Sequence, residues 1–212
     1  MISKIFVSGL KRVMRINRIG VILLAAGESA RLGAPKQLLQ FRDETLVRGS
    51  VKTALAVSVK VVVTLGARIE ILREEITDLP VQVAENEDWK SGMSGSIKVG
   101  LKKLTETNEE LDGALVMICD QPLVDRILLE KIIKTFTKTD VLIVACEYQN
   151  TVGVPALFHR KLFPEIFALD SPNGAKQLIE KYRARTAVIA FPEGAIDVDT
   201  PDDYENLTRN FT

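Results

Sequence analysis

The chain has 212 residues, 46% of them hydrophobic, enough to bury one sizeable core. Lysine plus arginine (28) balance aspartate plus glutamate (28), so no long-range field draws the chain to nucleic acid or an anionic membrane, and any affinity for anions is local. One histidine and two separated cysteines exclude a Cys/His zinc site.

At the N-terminus, Lys4, Lys11, Arg12, Arg15 and Arg18 precede the apolar run Ile19 to Ala26, an order that superficially resembles a signal peptide. The run is too short to span a bilayer and reads better as a first strand followed by a turn. Residues 1–18 are therefore read as an extension, with Met14 as an alternative start, and residues 19–212 as one domain.

From Gly20 onward, short β-branched runs alternate with helical patterns. Ile19 to Ala25 reads as a strand. Thr45 to Val57 places Leu46, Val47, Val51, Ala54 and Leu55 on one helix face. Val59 to Leu65 is a strand, Arg68 to Ile76 a helix, Val81 to Ala84 a strand, and Ser96 to Leu104 a helix with Ile97, Leu101 and Leu104 in register. Ala114 to Cys119 is almost wholly apolar, as expected of a central strand covered on both faces, and stops at Asp120-Gln121-Pro122. A helix over Leu128 to Phe136, a strand over Val141 to Cys146, helices over Lys161 to Leu169 and Gly174 to Tyr182, and a strand over Thr186 to Ala190 follow. Thr200-Pro201-Asp202-Asp203 opens the C-terminal helix, with Thr200 as N-cap and Asp203 as its capping-box acid. Cys119 and Cys146 fall in apolar strands, where free thiols usually lie, and a reducing cytoplasm fits best.

The pattern is an α/β fold of three layers with a mostly parallel central sheet, in which ligands bind beyond the carboxyl ends of the strands. Three of the most unusual segments lie at such ends, and four constellations carry chemistry. In the loop Gly27 to Lys36, glycines let backbone N–H groups approach phosphate oxygens while Arg31 and Lys36 add positive charge. It is neither a Walker A loop nor a dinucleotide fingerprint, since it lacks Gly-Lys-Ser/Thr and G-x-G, and taken alone it is equally a tight turn with two solvated cations. Asp120, at the mouth of a buried strand, suits Mg²⁺, which favours one or two carboxylates plus substrate phosphate oxygens; the alternative is a turn cap. Asp197 and Asp199 alternate with Ile196 and Val198 on an extended segment, and Asp199 is the second expected metal ligand. The loop Asn86 to Ser96 offers donors to a flat polar base, with Met93 packing against it, or caps the following helix through Ser94 or Ser96. His159, beside Phe158, is read as a surface or edge residue.

Assembled, the chain resembles the molybdenum cofactor cytidylyltransferases, within the single-domain nucleotidyltransferases that include the guanylyltransferase of the same pathway. The resemblance runs from about Ile19 to Leu207. It rests on Leu-Ala-Ala-Gly-x-Ser-x-Arg-x-Gly-x-Pro-Lys at Leu24 to Lys36, Asn86 and Trp89 with Gly-Met-Ser at Gly92 to Ser94, Cys-Asp-Gln-Pro at Cys119 to Pro122, Gly-Val-Pro at Gly153 to Pro155, and Asp-Val-Asp-Thr-Pro at Asp197 to Pro201. One departure is Gly95, where the family more often has serine.

The resemblance implies a Rossmann-like nucleotidyltransferase fold, Mg²⁺ dependence, and transfer of CMP from CTP to the terminal phosphate of molybdopterin, with a molybdoenzyme as recipient of the product. Ala25-Ala26 and Gln121 look like the cytidylyl branch. The expected catalytic residues are Arg31, Lys36 and Asp120, and the expected metal ligands Asp120 and Asp199. The expected nucleotide-binding residues are Leu24, Ala25, Ala26, Gly27, Arg31, Lys36, Gly92, Met93, Ser94, Asp120 and Gln121. Three alternatives stay open: a related transferase with another NTP or phosphate acceptor, a non-catalytic protein that delivers molybdenum cofactor, and a redox enzyme, which the missing G-x-G-x-x-G disfavours.

Overall fold

The computed structural model describes residues 18–29, 32–108, 110–170 and 174–211. The N-terminal extension expected over 1–18, Arg18 excepted, lies outside the described residues, as does Arg31.

In chain order the elements are β1 (Ile19–Ala25), β2 (Gln40–Phe41), β3 (Glu44–Thr45), α1 (Leu46–Leu55), β4 (Val61–Leu65), α2 (Ile69–Glu75), β5 (Gln82–Glu85) and α3 (Met93–Thr107). There follow β6 (Gly113–Ile118), α4 (Arg126–Lys138), β7 (Ile143–Tyr148), β8 (Thr151–His159), α5 (Phe163–Phe167), α6 (Lys176–Lys181), β9 (Thr186–Ala190) and α7 (Pro201–Phe211). Seven strands form one sheet in the order β5-β4-β1-β6-β8-β7-β9, and β2 and β3 make a separate antiparallel pair. Every pairing in the large sheet is parallel except those of β8, which runs against both neighbours.

The strand period of two sorts the core into layers. On β1, Val21, Leu23 and Ala25 face a cluster shared with Val47 and Val51 of α1, Leu72 of α2, and Leu129 and Ile132 of α4. Ile22 and Leu24 face the opposite cluster, with Ile97, Leu101 and Leu104 of α3, Ile166 of α5 and Ile179 of α6. Helices cover both faces, giving the three-layer, mostly parallel, Rossmann-like arrangement expected. Thr45 caps α1 by accepting from the Arg48 N–H at 3.3 Å, and Asp125 caps α4 by accepting from that of Leu128 at 2.8 Å. In α3, a Cβ on Gly100 would stand 2.5 Å from both Ile22 and Thr64, so only glycine lets this helix sit so close to the sheet.

Several local expectations are corrected. Helix α3 begins at Met93, not Ser96, with Gly92 (φ 106°) as its N-cap, so Ser94 and Ser96 are buried within the first turn instead of capping it. Strand β4 begins at Val61 and leaves Val59 80% exposed. The helix expected over Lys161 to Leu169 is a short 3-10 turn followed by the five residues of α5. Strand β8 was not expected at all. Its pairing with β6 ends at Ala156, and its register with β7 shifts between the pairs Ala145–Ala156 and Cys146–Gly153, so Val154 and Pro155 occupy the irregularity. A proline, lacking an N–H, fits a central strand only at such a bulge. Among the described residues, no helix is long and apolar enough to cross a membrane.

Candidate active site

Parallel pairing sends the loops after β1 and β6 out at the same end of the sheet, since Leu24 lies beside Ile118. The glycine-containing loop and Cys119-Asp120 therefore emerge as neighbours. The Val198 N–H donates to the Asp120 carbonyl at 3.1 Å, which lays the segment before α7 alongside them. That segment ends in the expected capping box. Thr200 Oγ1 accepts from the Asp203 N–H at 3.2 Å, and the Asp203 carboxylate accepts from the Thr200 N–H at 2.8 Å and from the Asp199 N–H at 3.2 Å.

Three charged groups meet here. Lys36 Nζ donates to Asp120 Oδ2 at 2.6 Å and to Asp199 Oδ1 at 2.7 Å. The three side chains are only 12%, 20% and 29% exposed, so solvent screens them weakly. Burial alone would lower the Lys36 ammonium's pKa, but Asp120 and then Asp199 overcome that and hold it well above the ordinary lysine range. Asp120 Oδ1 is buried with no hydrogen-bond partner. A buried carboxylate oxygen without a donor is costly and has capacity for one more cationic contact. With Asp199 nearby, the pair forms an all-oxygen donor set of the kind hard divalent cations accept. Among the described residues, no group of three or more His, Cys, Asp or Glu is arranged to hold a metal, so protein carboxylates alone would leave most of a cation's shell to substrate and water.

Beside this triad lies a cleft of about 420 Å³. Leu24, Ala25, Ala26, Gly27, Lys36, Gly92, Met93 and Asp120 line it, so eight of the expected residues share one wall system. Trp89 and Lys90 line it too, with the Lys90 ammonium 5.3 Å from the centre of the indole ring. Trp89 comes this close because Gly66 has no side chain: a Cβ there would stand 2.5 Å from that of Trp89 and 2.8 Å from the Ala26 carbonyl oxygen.

Residues 21–186 match the family described as the MobA-like NTP transferase domain. The chain belongs to this family. It is a nucleotidyltransferase. The nicotine blue oxidoreductase of Paenarthrobacter nicotinovorans is 37% identical over 103 residues, 48% of each chain. The purine catabolism protein PucB of Bacillus subtilis is 24% identical over 89% of this chain and 95% of its own. The molybdenum cofactor cytidylyltransferase of Escherichia coli is 21% identical over 93% and 99%. Among solved structures, Rv0371c of Mycobacterium tuberculosis superposes with a TM-score of 0.78 at 30% identity, covering 92% of this chain and all of its own. The same protein in complex with manganese gives 0.75 at 29% identity, with the same coverage.

Not every expected residue of this NTP transferase reaches the cleft wall. Ser94 is buried in the first turn of α3. Gln121 is buried and is not among the cleft-lining residues; its Nε2 donates to the Gly194 carbonyl at 2.9 Å and ties the end of β6 to the turn after β9. Asp199 joins through Lys36. His159 lies at the other end of the sheet, opposite Gly113, with Nδ1 accepting from the Lys161 N–H at 3.0 Å. Cys119 and Cys146 are buried free thiols, as expected, and burial pushes both up to about 12.

One residue of the site went unnoticed in the sequence. Gln37, directly after Lys36, is 1% exposed, and its carboxamide donates to the carbonyls of Gly27 at 2.7 Å and Ala25 at 3.3 Å. A lone glutamine at the edge of a polar loop carries no signal of burial; only the fold places it under the glycine.

Proposed function

We propose that this protein transfers CMP from CTP to the terminal phosphate of molybdopterin and releases pyrophosphate. The observation that carries the reading is the meeting of Lys36, Asp120 and Asp199 at 2.6 and 2.7 Å beside the cleft lined by Ala25, Ala26 and Gly27. A terminal phosphate oxygen of the acceptor attacks the α-phosphorus of the nucleotide. The new P–O bond forms as the α–β phosphoanhydride breaks, and its electron pair leaves on pyrophosphate, so no side-chain nucleophile is required.

The protein's part is positioning and charge. Lys36 and the sequence-assigned Arg31 stabilise negative charge gathering on pyrophosphate, and the N–H groups about Gly27 orient the triphosphate. Asp120 and Asp199 are the residues that would hold Mg²⁺, and the chemistry such an ion supplies when bound is neutralisation of charge on the triphosphate oxygens. The double alanine leaves the base side of the cleft small and apolar. This supports CTP as the nucleotide, while molybdenum cofactor guanylyltransferases of Bacillus, 25–28% identical, stand beside the Escherichia coli cytidylyltransferase at 21% and make GTP the competing choice.

The test is pyrophosphate release with each of the four NTPs, with and without molybdopterin. Release dependent on both CTP and molybdopterin is expected; no release with any NTP refutes the reading. Release with another nucleotide or acceptor supports a related transferase, an alternative in keeping with the matches to molybdenum cofactor guanylyltransferases. The half-length match to an oxidoreductase gives a further alternative, a dinucleotide in the same cleft, which a flavin or nicotinamide absorbance in the purified protein would establish.

A further inference from the structure

Gln37 borders the cleft with a side chain only 1% exposed, and both ends of its carboxamide are taken up by the loop. Its Nε2 donates at 2.7 Å to the Gly27 carbonyl and at 3.3 Å to that of Ala25, and its Oε1 accepts from Ser29 Oγ at 3.2 Å. Ser29 Oγ in turn accepts from the Lys36 N–H at 3.0 Å. The four bonds join the end of β1, the glycine, the left-handed Ser29 (φ 60°) and the lysine into one bracket around a side chain 1% exposed. In a trans peptide the N–H points opposite the carbonyl. With the Gly27 carbonyl drawn down onto the carboxamide, the Glu28 N–H is turned away from the buried side. The Ala26 carbonyl is held likewise, accepting from the Ala67 N–H at 3.0 Å, which fixes the direction of the Gly27 N–H.

We propose that Gln37 is a positioning residue for the triphosphate: by holding the Gly27 carbonyl inward it presents the Glu28 N–H, beside the Gly27 N–H that the Ala26–Ala67 bond sets, to anionic oxygens in the cleft, and through Ser29 it fixes the backbone from which Lys36 reaches Asp120 and Asp199. This rests on the nucleotidyltransferase reading above and adds to it the residue that shapes the phosphate loop. Gln37 acts only through the loop, so its removal weakens recognition of phosphates and leaves recognition of the base intact.

The single tryptophan, Trp89, lines the cleft and reports occupancy by its fluorescence. Titrations of wild type and Gln37→Met with CTP and cytidine, and with GTP and guanosine, in the presence of Mg²⁺, separate the two recognitions. Methionine keeps the length of the side chain and removes its donors and acceptor. The expected result is triphosphate affinity lowered about tenfold with nucleoside affinity within about twofold, because the carbonyls lose their donors while the base side of the cleft is untouched. Affinity for triphosphate within twofold of wild type overturns the proposal, and so does a parallel loss for nucleoside and triphosphate, which marks general damage to the fold. Where Gln37→Met does not fold, Gln37→Leu decides: it removes the same donors to Gly27 and Ala25 with a different apolar shape, and the same selective loss is expected, while unchanged triphosphate affinity overturns the proposal. Wild-type protein that binds no nucleoside triphosphate removes the transferase reading itself, and Gln37's role with it.

Discussion

Replacing Lys36 by methionine leaves two carboxylates facing each other with no cation between them. The carboxylates repel each other in the wild type as well; what the substitution removes is the attraction of each to the ammonium, at 2.6 and 2.7 Å. Breaking a largely buried ion pair by removing one partner costs about 3–5 kcal/mol, and residual exposure of 20% and 29% puts this site at the lower end. Lys36→Met should therefore lose about 3 kcal/mol in urea unfolding at pH 7 and low salt, roughly 6–12 °C in Tm for a chain of this size. The double variant Lys36→Met/Asp199→Asn, with one negative charge removed, should recover most of that loss. The pH dependence has a definite sign. Burial lowers the Lys36 pKa, but Asp120 and Asp199 raise it further, so the folded value lies above the unfolded one. The lysine's stabilisation is then complete below about 10.4 and is lost only as pH rises past the folded value. The gap between wild type and Lys36→Met should thus stay constant from about pH 7 to 9.5. A loss under about 0.5 kcal/mol, or a double variant no more stable than the single, would refute this electrostatic account.

Asp120→Ala should fold and yet release pyrophosphate about 10²-fold more slowly or worse, read as initial rates beside an unfolding curve. Thr200→Ala removes the N-cap of α7 and should cost about 1 kcal/mol in chemical denaturation, since Thr200 Oγ1 holds the Asp203 N–H. With burial pushing Cys119 and Cys146 up to about 12, neither thiol should react with a disulfide reagent at pH 8 until the protein unfolds; rapid labelling of native protein would contradict their placement.

Much of the layer arrangement is written in local periodicity. β1 and β9 fall on the expected bounds because each is an uninterrupted β-branched or apolar run closed by small or polar residues. β8 is hidden because Gly153 and Pro155 break its pattern, and what makes Pro155 tolerable is a register shift against β7 that no local sequence feature encodes. The site divides the same way. Asp120 and Asp199 stand out by their places beside a buried strand and before a helix cap. Their sharing of one ammonium spans 84 and 163 residues of sequence and depends on strand order. The burial of Gln37 and Gln121 is hidden from the sequence for a common reason: whether an amide sits under backbone carbonyls, and hence the burial of a lone polar residue, follows from tertiary packing.

Asp199 also differs from its partners in what holds it. Lys36 and Asp120 hang from loops rooted in β1 and β6, in the centre of the sheet. Asp199 rides between Val198 and Thr200 on a segment packed through the smaller cluster of Phe41, Leu46, Val198 and Leu207. Free energies of opening follow the local density of buried contacts, so the strap carrying Asp199 can detach while the sheet stays folded. Inactivation on gentle heating or limited digestion then belongs to this peripheral unit, and ligands that bridge Asp199 to the rest of the site would protect the protein against proteases at its C-terminal end before they raise its global stability.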